Sequence, residues 1–369
     1  MNGSGRVTII GAGALGLGFL GPSFSEEAEI LFLDVEARQS LIEGLEKRRF
    51  YGITLAGPSP RRVEVKNVRA MLTRSPEAAP ALSESDLCFT AVGAGNLPSL
   101  SALFRDAGRL RGGKGPLRVL AAENGYAMGR RIEQLAGPEA NIKATDTVMG
   151  RMCRFTDEPG SAVLAEEFYG IPFLKSTGFP DLPFSALQPC DEKRFALEKD
   201  VKLFAHNCVH GMFAHAAARQ GLSRICEAGA QEPLRERARA MLKGELLPAL
   251  KTRHNGVLDS QAYLNYAVHL VERILSPWFA DTVERGIRGA PDKLLPSERW
   301  VSAVRFVRGA GLKASAYLAA FSDVLAVSGL LCNKTLKEVL TDHCGFSRAE
   351  ASELEPEIQG GIQWIGKKP

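Results

Sequence analysis

Two rhythms of apolar and polar residues run along this chain of 369 residues. In the first half, short β-rich apolar runs at 7–10, 30–34, 86–92 and 117–121 are separated by stretches with helical spacing. Strands that are apolar throughout need cover on both faces, so this alternation predicts a parallel sheet between layers of helix. Residues 63–68 have a period of two and predict an extra strand or hairpin. Residues 144–148 and 161–164 are expected to extend the sheet. Between 170 and 190 the chain is rich in Pro, Gly, Phe and Ser, which predicts an irregular connection and a domain boundary near residue 190.

Beyond that point the period changes to 3.6. Phe195, Leu197, Val201, Leu203, Phe204, Cys208, Val209 and Met212 mark one helix over 192–220, which Gly221 should stop. Further helices are expected over 231–250, 261–274, 297–309, 314–328 and 335–341, with fraying over 360–369. The expected fold class is α/β: a Rossmann-like domain with a parallel-rich sheet over residues 1–190, then a mainly α-helical domain over 191–369. Trp278, Trp300, Phe306 and Tyr317 are expected in the core or between domains.

Composition narrows the function classes. Hydrophobic types make up 45% of the chain and charged types 24%, as in a globular protein. Lys plus Arg at 46 against Asp plus Glu at 42 leaves +4, without a long single-sign run, so nucleic-acid binding gains no support. Seven scattered cysteines without a C-x-x-C pair read as free thiols in a reducing cytoplasm. Residues 7–25 carry no charge, but five glycines and Pro22 make them poor membrane-inserting sequence, and no membrane association is expected. The oligomeric state is left open between monomer and dimer.

Candidate chemistry starts at the glycines. Gly11-Ala-Gly13-Ala-Leu-Gly16 follows a predicted strand directly and opens a helix-compatible stretch, which is the context of a dinucleotide fingerprint. The first glycine suits a tight turn, the second lets backbone approach a pyrophosphate, and the third permits close helix packing. Asp34 ends the next strand, eighteen residues after Gly16. A carboxylate there hydrogen-bonds ribose hydroxyls and repels a 2′-phosphate, so NAD is expected rather than NADP, with Arg38 the counter-argument. Val92 and Gly93, ending another strand, are expected beside the same crevice.

A second constellation lies in the helical half. Lys202, Asn207 and His210 share one predicted helix, and at about 100° per residue Asn207 lies ~140° and His210 ~80° from Lys202. A lysine base, an amide and an imidazole on one arc suit oxidation of a secondary alcohol: the base takes the hydroxyl proton and amide donors steady the alkoxide. His206, His210 and His215 lack the carboxylate of a zinc-protease site, so no metal is expected. Cys208 has only His206 as a basic neighbour and is expected to be inert.

The spacing Lys202-x4-Asn207-x2-His210 resembles the signature of the polyol-specific long-chain dehydrogenase/reductase, or mannitol dehydrogenase, family. Gly11 to Gly21, Glu123-Asn124-Gly125, Ile287 to Leu294 and Cys344-Gly-Phe346 are similar to further elements of that family, in its order. The pattern is nearest to the branch that acts on mannitol 1-phosphate. The resemblance implies a metal-independent enzyme with the substrate between the two domains. It implies Lys202 as general base, Asn207 and Asn124 as an oxyanion-stabilising pair, and His210 as a group that orients substrate. For a phosphate, Arg288, Lys293 and Arg299 are the expected clamp, and Arg151 is a further substrate-binding candidate. The sequence departs from the family pattern where Gly150 replaces an acidic residue, at Leu17, and at Gly289 and Asp292. The alternatives are an unphosphorylated polyol or hexonate dehydrogenase and a non-catalytic NAD-binding regulator.

Overall fold

The computed structural model describes residues 5–363 except 158–159, 168–169, 176–178 and 180–181. The chain divides into two compact units, Met1–Phe195 and Ala196–Pro369. The first carries twelve described strands: β1 Gly5–Ile10, β2 Ala28–Asp34, β3 Tyr51–Leu55, β4 Arg61–Val65, β5 Val68–Leu72, β6 Leu87–Thr90, β7 Leu117–Ala121, β8 Ile142–Asp146, β9 Cys153–Phe155, β10 Val163–Ala165, β11 Ile171–Leu174 and β12 Leu187–Cys190.

Six of them form one sheet in the order β5-β2-β1-β6-β7-β8, every pair parallel. This is the doubly wound order of a Rossmann fold, with the reversal of strand order between β1 and β6. Side chains of successive residues leave opposite faces: Val7, Ile9, Ile30 and Phe32 enter one buried cluster, Ile10, Leu31 and Leu33 another. Both faces are therefore covered, which is why the central residues of these strands are largely apolar.

Three expectations need correction. The region 63–68 is two elements, because β4 turns back antiparallel on β3 while β5 joins the main sheet beside β2. The segment 161–164 does not extend the main sheet: β10 pairs with β3 and β9 in a separate four-stranded sheet. The stretch 170–190 holds the parallel pair β11 and β12 among its described residues.

In the second unit the helices largely follow the 3.6 periodicity: Ser260–Ile274, Arg299–Gly309 and Ser315–Ser328 agree with expectation to within two residues. A helix over Arg348–Gln363 was not anticipated, since Pro356, Gly360 and Gly361 disguise it. Gly361 faces Ser322, whose Oγ would stand 2.6 Å from an added Cβ, so the glycine permits close packing. Residues 364–369 of the expected fraying end lie outside the described residues. Trp300 and Tyr317 are fully buried, whereas Trp278 is 53% exposed and is not core; its neighbour Phe279 is buried instead. Among the described residues no helix is long and apolar enough to cross a membrane.

Candidate active site

The candidate nucleotide-binding residues lie in the first unit, where the glycine turn leaves β1. Gly11 has φ +112°, and a Cβ there would stand 2.5 Å from the Ala91 carbonyl oxygen, so no side chain fits. Gly16 abuts the turn itself, with its would-be Cβ 2.1 Å from the Gly11 carbonyl oxygen. Gly13 differs from both, because among the described residues beyond its two chain neighbours no atom lies within 4 Å of a Cβ built on it. It leaves backbone open on the side where a phosphate would approach the first turn of the following helix. Two glycines therefore serve packing, and one leaves room for a ligand.

Asp34 ends β2 and its carboxylate is already engaged. Oδ2 accepts the Ala12 N–H at 2.8 Å and Oδ1 the Val35 N–H at 2.8 Å, so the acid braces the glycine turn. Arg38 lies 5.1 Å over the Phe155 ring. At the end of β6, the N–H groups of Val92 and Gly93 donate to the buried Glu123 carboxylate at 3.0 and 2.8 Å. Burial raises the Glu123 carboxyl above its ordinary value, and those two bonds oppose the shift. The amides of Val92 and Gly93 are thus committed to a buried carboxylate. Asn124 follows Glu123 in an exposed turn in which Gly125 has φ +123°. Arg151 is buried in this first unit, its guanidinium 5.6 Å from the centre of the Phe19 ring. At Gly150 φ is not positive and no atom lies within 4 Å of an added Cβ, so the fold itself does not demand glycine there.

Lys202, Asn207 and His210 lie in the second unit, on a continuous helical run from Glu192 to Arg219. Its middle, Val201–Asn207, is wound as a π-helix rather than an α-helix. That changes the expected arc. An i→i+5 turn is wider, so residues five apart, Lys202 and Asn207, return to the same side instead of standing ~140° apart. His210, three residues further in ordinary α-helix, lies about 60° from Asn207. The carbonyl of Phe204, inside the wide turn, accepts the Tyr317 hydroxyl at 2.8 Å, and the Phe204 ring packs on Phe306 with centroids 4.8 Å apart. The array is tighter than the sequence alone implies.

Polar atoms left without protein partners gather on this helix and beside it. Asn207 Nδ2, His206 Nδ1, His215 Nε2, Arg299 Nε and Trp300 Nε1 are buried and make no hydrogen bond within the described chain. Burial and then Lys202 push the His206 imidazole well below its ordinary range. His215 is pushed down to about 4, chiefly by burial, while its bond to the Gly211 carbonyl opposes the shift. Burial raises the Cys208 thiol, which makes the thiolate scarce.

A cationic group stands in the same unit. Lys293 is pulled down to about 8, first by burial and then by Arg299, Arg285 and Arg288; Glu298 opposes. The clamp expected from Arg288, Lys293 and Arg299 is therefore brought together, with Arg285 added. Arg288 is exposed, Lys293 donates to the Gly286 carbonyl at 2.7 Å, and Arg299 opens the helix Arg299–Gly309. Arg151, in the other unit, is not part of this group.

Sequence reasoning missed Asp281. It is 1% exposed, accepts His210 Nε2 at 2.8 Å, and is gripped by Arg285 through two bonds of 2.7 Å. The Asp281–Arg285 spacing is a readable i,i+4 pair, but the link to His210 spans 71 residues and left no local signal.

Residues 5–147 match the family model of the mannitol dehydrogenase Rossmann domain. The first unit therefore carries a Rossmann domain of the mannitol dehydrogenase type. The protein is an oxidoreductase. The chain is 26% identical over 332 residues to the mannitol-1-phosphate 5-dehydrogenase of Shouchella clausii, covering 85% of this chain and 86% of that one. To the enzyme of the same name from Streptococcus pneumoniae it is 26% identical over 373 residues, 93% of this chain and 97% of that one. Among solved structures, mannitol 2-dehydrogenase of Pseudomonas fluorescens, a ternary complex with NAD and D-mannitol, has TM-score 0.77 at 12% identity, covering 98% of this chain and 91% of that one. A D-sorbitol dehydrogenase has TM-score 0.77 at 13% identity, covering 98% and 93%. These two share the family fold.

Proposed function

We propose that this member of the mannitol dehydrogenase family is an NAD-dependent polyol dehydrogenase that interconverts a phosphorylated sugar alcohol, such as mannitol 1-phosphate, with its keto-sugar. The observation that carries the reading is the π-turn aligning Lys202 with Asn207, next to a cluster of cations around Lys293. The dinucleotide, when bound, supplies the hydride acceptor at its nicotinamide ring. Gly11, Gly13 and Gly16 with the following helix would hold its pyrophosphate, and Asp34 its adenosine ribose. The open space at Gly13 fits that assignment.

Lys202 is the general base that removes the carbinol proton as the carbon is oxidised. Asn207 offers a buried amide donor with no partner among the described residues, and Asn207 and Asn124 are the donors assigned to the developing alkoxide. His210 contacts a neighbouring hydroxyl. Lys293 and Arg299, with Arg288 at the rim, supply the fixed charges that a phosphate dianion needs. Two close relatives in sequence pattern, both called mannitol-1-phosphate 5-dehydrogenases, favour the phosphorylated substrate over the free polyol.

The test is the appearance of reduced cofactor by absorbance with NAD and either mannitol 1-phosphate or mannitol. A kcat/KM at least ~100-fold higher for the phosphate is expected, because two charge-assisted contacts at about 1.5–3 kcal/mol each together supply about 3–6 kcal/mol. Equal values for the two polyols would overturn the phosphate assignment, and turnover with neither would overturn the substrate class.

A further inference from the structure

We infer that Asp281, clamped by Arg285, is a positioning residue that holds His210 as the Nε2–H tautomer and leaves its Nδ1 as a hydrogen-bond acceptor for a substrate hydroxyl. This rests on the reading that His210 faces substrate; the tautomer itself does not. The carboxylate of Asp281 accepts from every side. Its Oδ1 takes the Thr282 N–H at 3.0 Å and Arg285 Nε at 2.7 Å, and its Oδ2 takes Arg285 Nη2 at 2.7 Å and His210 Nε2 at 2.8 Å.

Burial would raise the Asp281 carboxyl, but its bonds to His210 and Arg285 outweigh that and hold it below the ordinary carboxylate range. An ionised carboxylate can only accept, so the proton in the bond to His210 sits on Nε2. A neutral imidazole has one N–H, and His210 is kept neutral by burial, with Arg285 and Lys202 adding to the effect and Asp281 opposing it. Nδ1 then carries a bare lone pair. The segment after Asp281 packs tightly on the His210 helix: a Cβ on Gly286 would stand 2.5 Å from Ala214 Cβ and 3.6 Å from His210 Cε1, so only glycine lets this segment come so close.

The chemical consequence is a division of labour on one helix. Asn207 presents a donor, while His210 presents an acceptor. The substrate must therefore offer a hydroxyl hydrogen next to the carbon being oxidised, which selects a vicinal diol over a 2-deoxy or O-methyl analogue.

Nitrogen-15 spectra of the full chain labelled in its histidine rings, assigned with His210→Asn, read the tautomer directly. A protonated Nε2 and a bare Nδ1 at pH 7 are expected; an Nδ1–H ring or an imidazolium would overturn the proposal. Asp281→Asn places an NH₂ among donors, so it should lower kcat on the order of 10²-fold or more, shift the His210 tautomer and leave NAD affinity unchanged. Wild-type kcat in that variant would overturn the positioning role. Because the wild-type spectrum needs neither turnover nor a stable variant, failure of the substrate assignment and failure of this proposal are distinguishable.

Discussion

The glycines of the nucleotide turn permit a sharp separation of folding from binding. Gly16→Ala puts a methyl 2.1 Å from the Gly11 carbonyl oxygen, where no real Cβ can sit. The obstructing atom is backbone, so no rotamer change relieves it, and the helix must move off β1. Overpacking of that kind costs about 1–3 kcal/mol, which at roughly 2–4 °C per kcal/mol for a domain of this size lowers Tm by several degrees. Gly13→Ala meets no atom within 4 Å among the described residues beyond its two chain neighbours and has no positive φ, so its stability should stay within about 0.5 kcal/mol of the wild type. Its methyl nevertheless occupies the face offered to the pyrophosphate. Losing one charge-assisted contact there costs about 1.5–3 kcal/mol, or roughly 10- to 150-fold in Kd for NAD. Thermal unfolding followed by circular dichroism and NAD titration by calorimetry measure the two effects independently. If Gly13→Ala binds NAD as tightly as wild type, or Gly16→Ala keeps its Tm, the division of roles is wrong.

Other outcomes follow from the same geometry. Lys202→Ala should lose about 10²–10⁴ in kcat with NAD affinity preserved, as expected when a general base is removed; stopped-flow absorbance with the cofactor titration alongside tests it. Asn207→Ala should cost on the order of 10²–10³ in turnover rather than in KM, and a change confined to KM would demote it to a binding residue. Lys293 is a cation below its value of about 8 and neutral above it, so affinity for a phosphorylated polyol should be full at pH 7 and fall as pH rises through 8. Lys293→Met should remove that dependence, and an unchanged KM profile from pH 7 to 9 would exclude Lys293 from the anion site. Asp34→Ala should narrow the preference for NAD over NADP and also lower Tm slightly, since the Ala12 N–H loses its acceptor; unchanged selectivity would refute its role at the ribose.

Much of the fold was legible because its causes are local. The run 30–33, Ile-Leu-Phe-Leu, lies in a strand in both readings, since a wholly apolar stretch of that kind fits a sheet covered on both faces. The region 63–68 was misread because β4 and β5 are separated only by Lys66 and Asn67, and nothing nearby says that one strand turns back while the other joins a different sheet. The fate of β10 was decided by its partner β3, more than a hundred residues earlier. Periodicity reports which face of a strand is buried, not which neighbour it pairs with.

The candidate site divides in the same way. By itself the sequence determined the glycine turn, the acid at the end of β2 and the order of lysine, amide and imidazole on one helix, because those depend on sterics and spacing within a few residues. Only the tertiary structure decided that Val201–Asn207 is wound i→i+5, with the Tyr317 hydroxyl 113 residues away bonded to its Phe204 carbonyl. Tertiary packing also set Asp281 against His210 and gathered Arg285, Arg288 and Arg299 around Lys293. A helix completes most of its hydrogen bonds within a few residues and so can be read locally. A carbonyl in a widened turn, a buried ring nitrogen or a half-buried ammonium draws its partner from whatever segment packing brings beside it, and that choice appears only once the chain is folded.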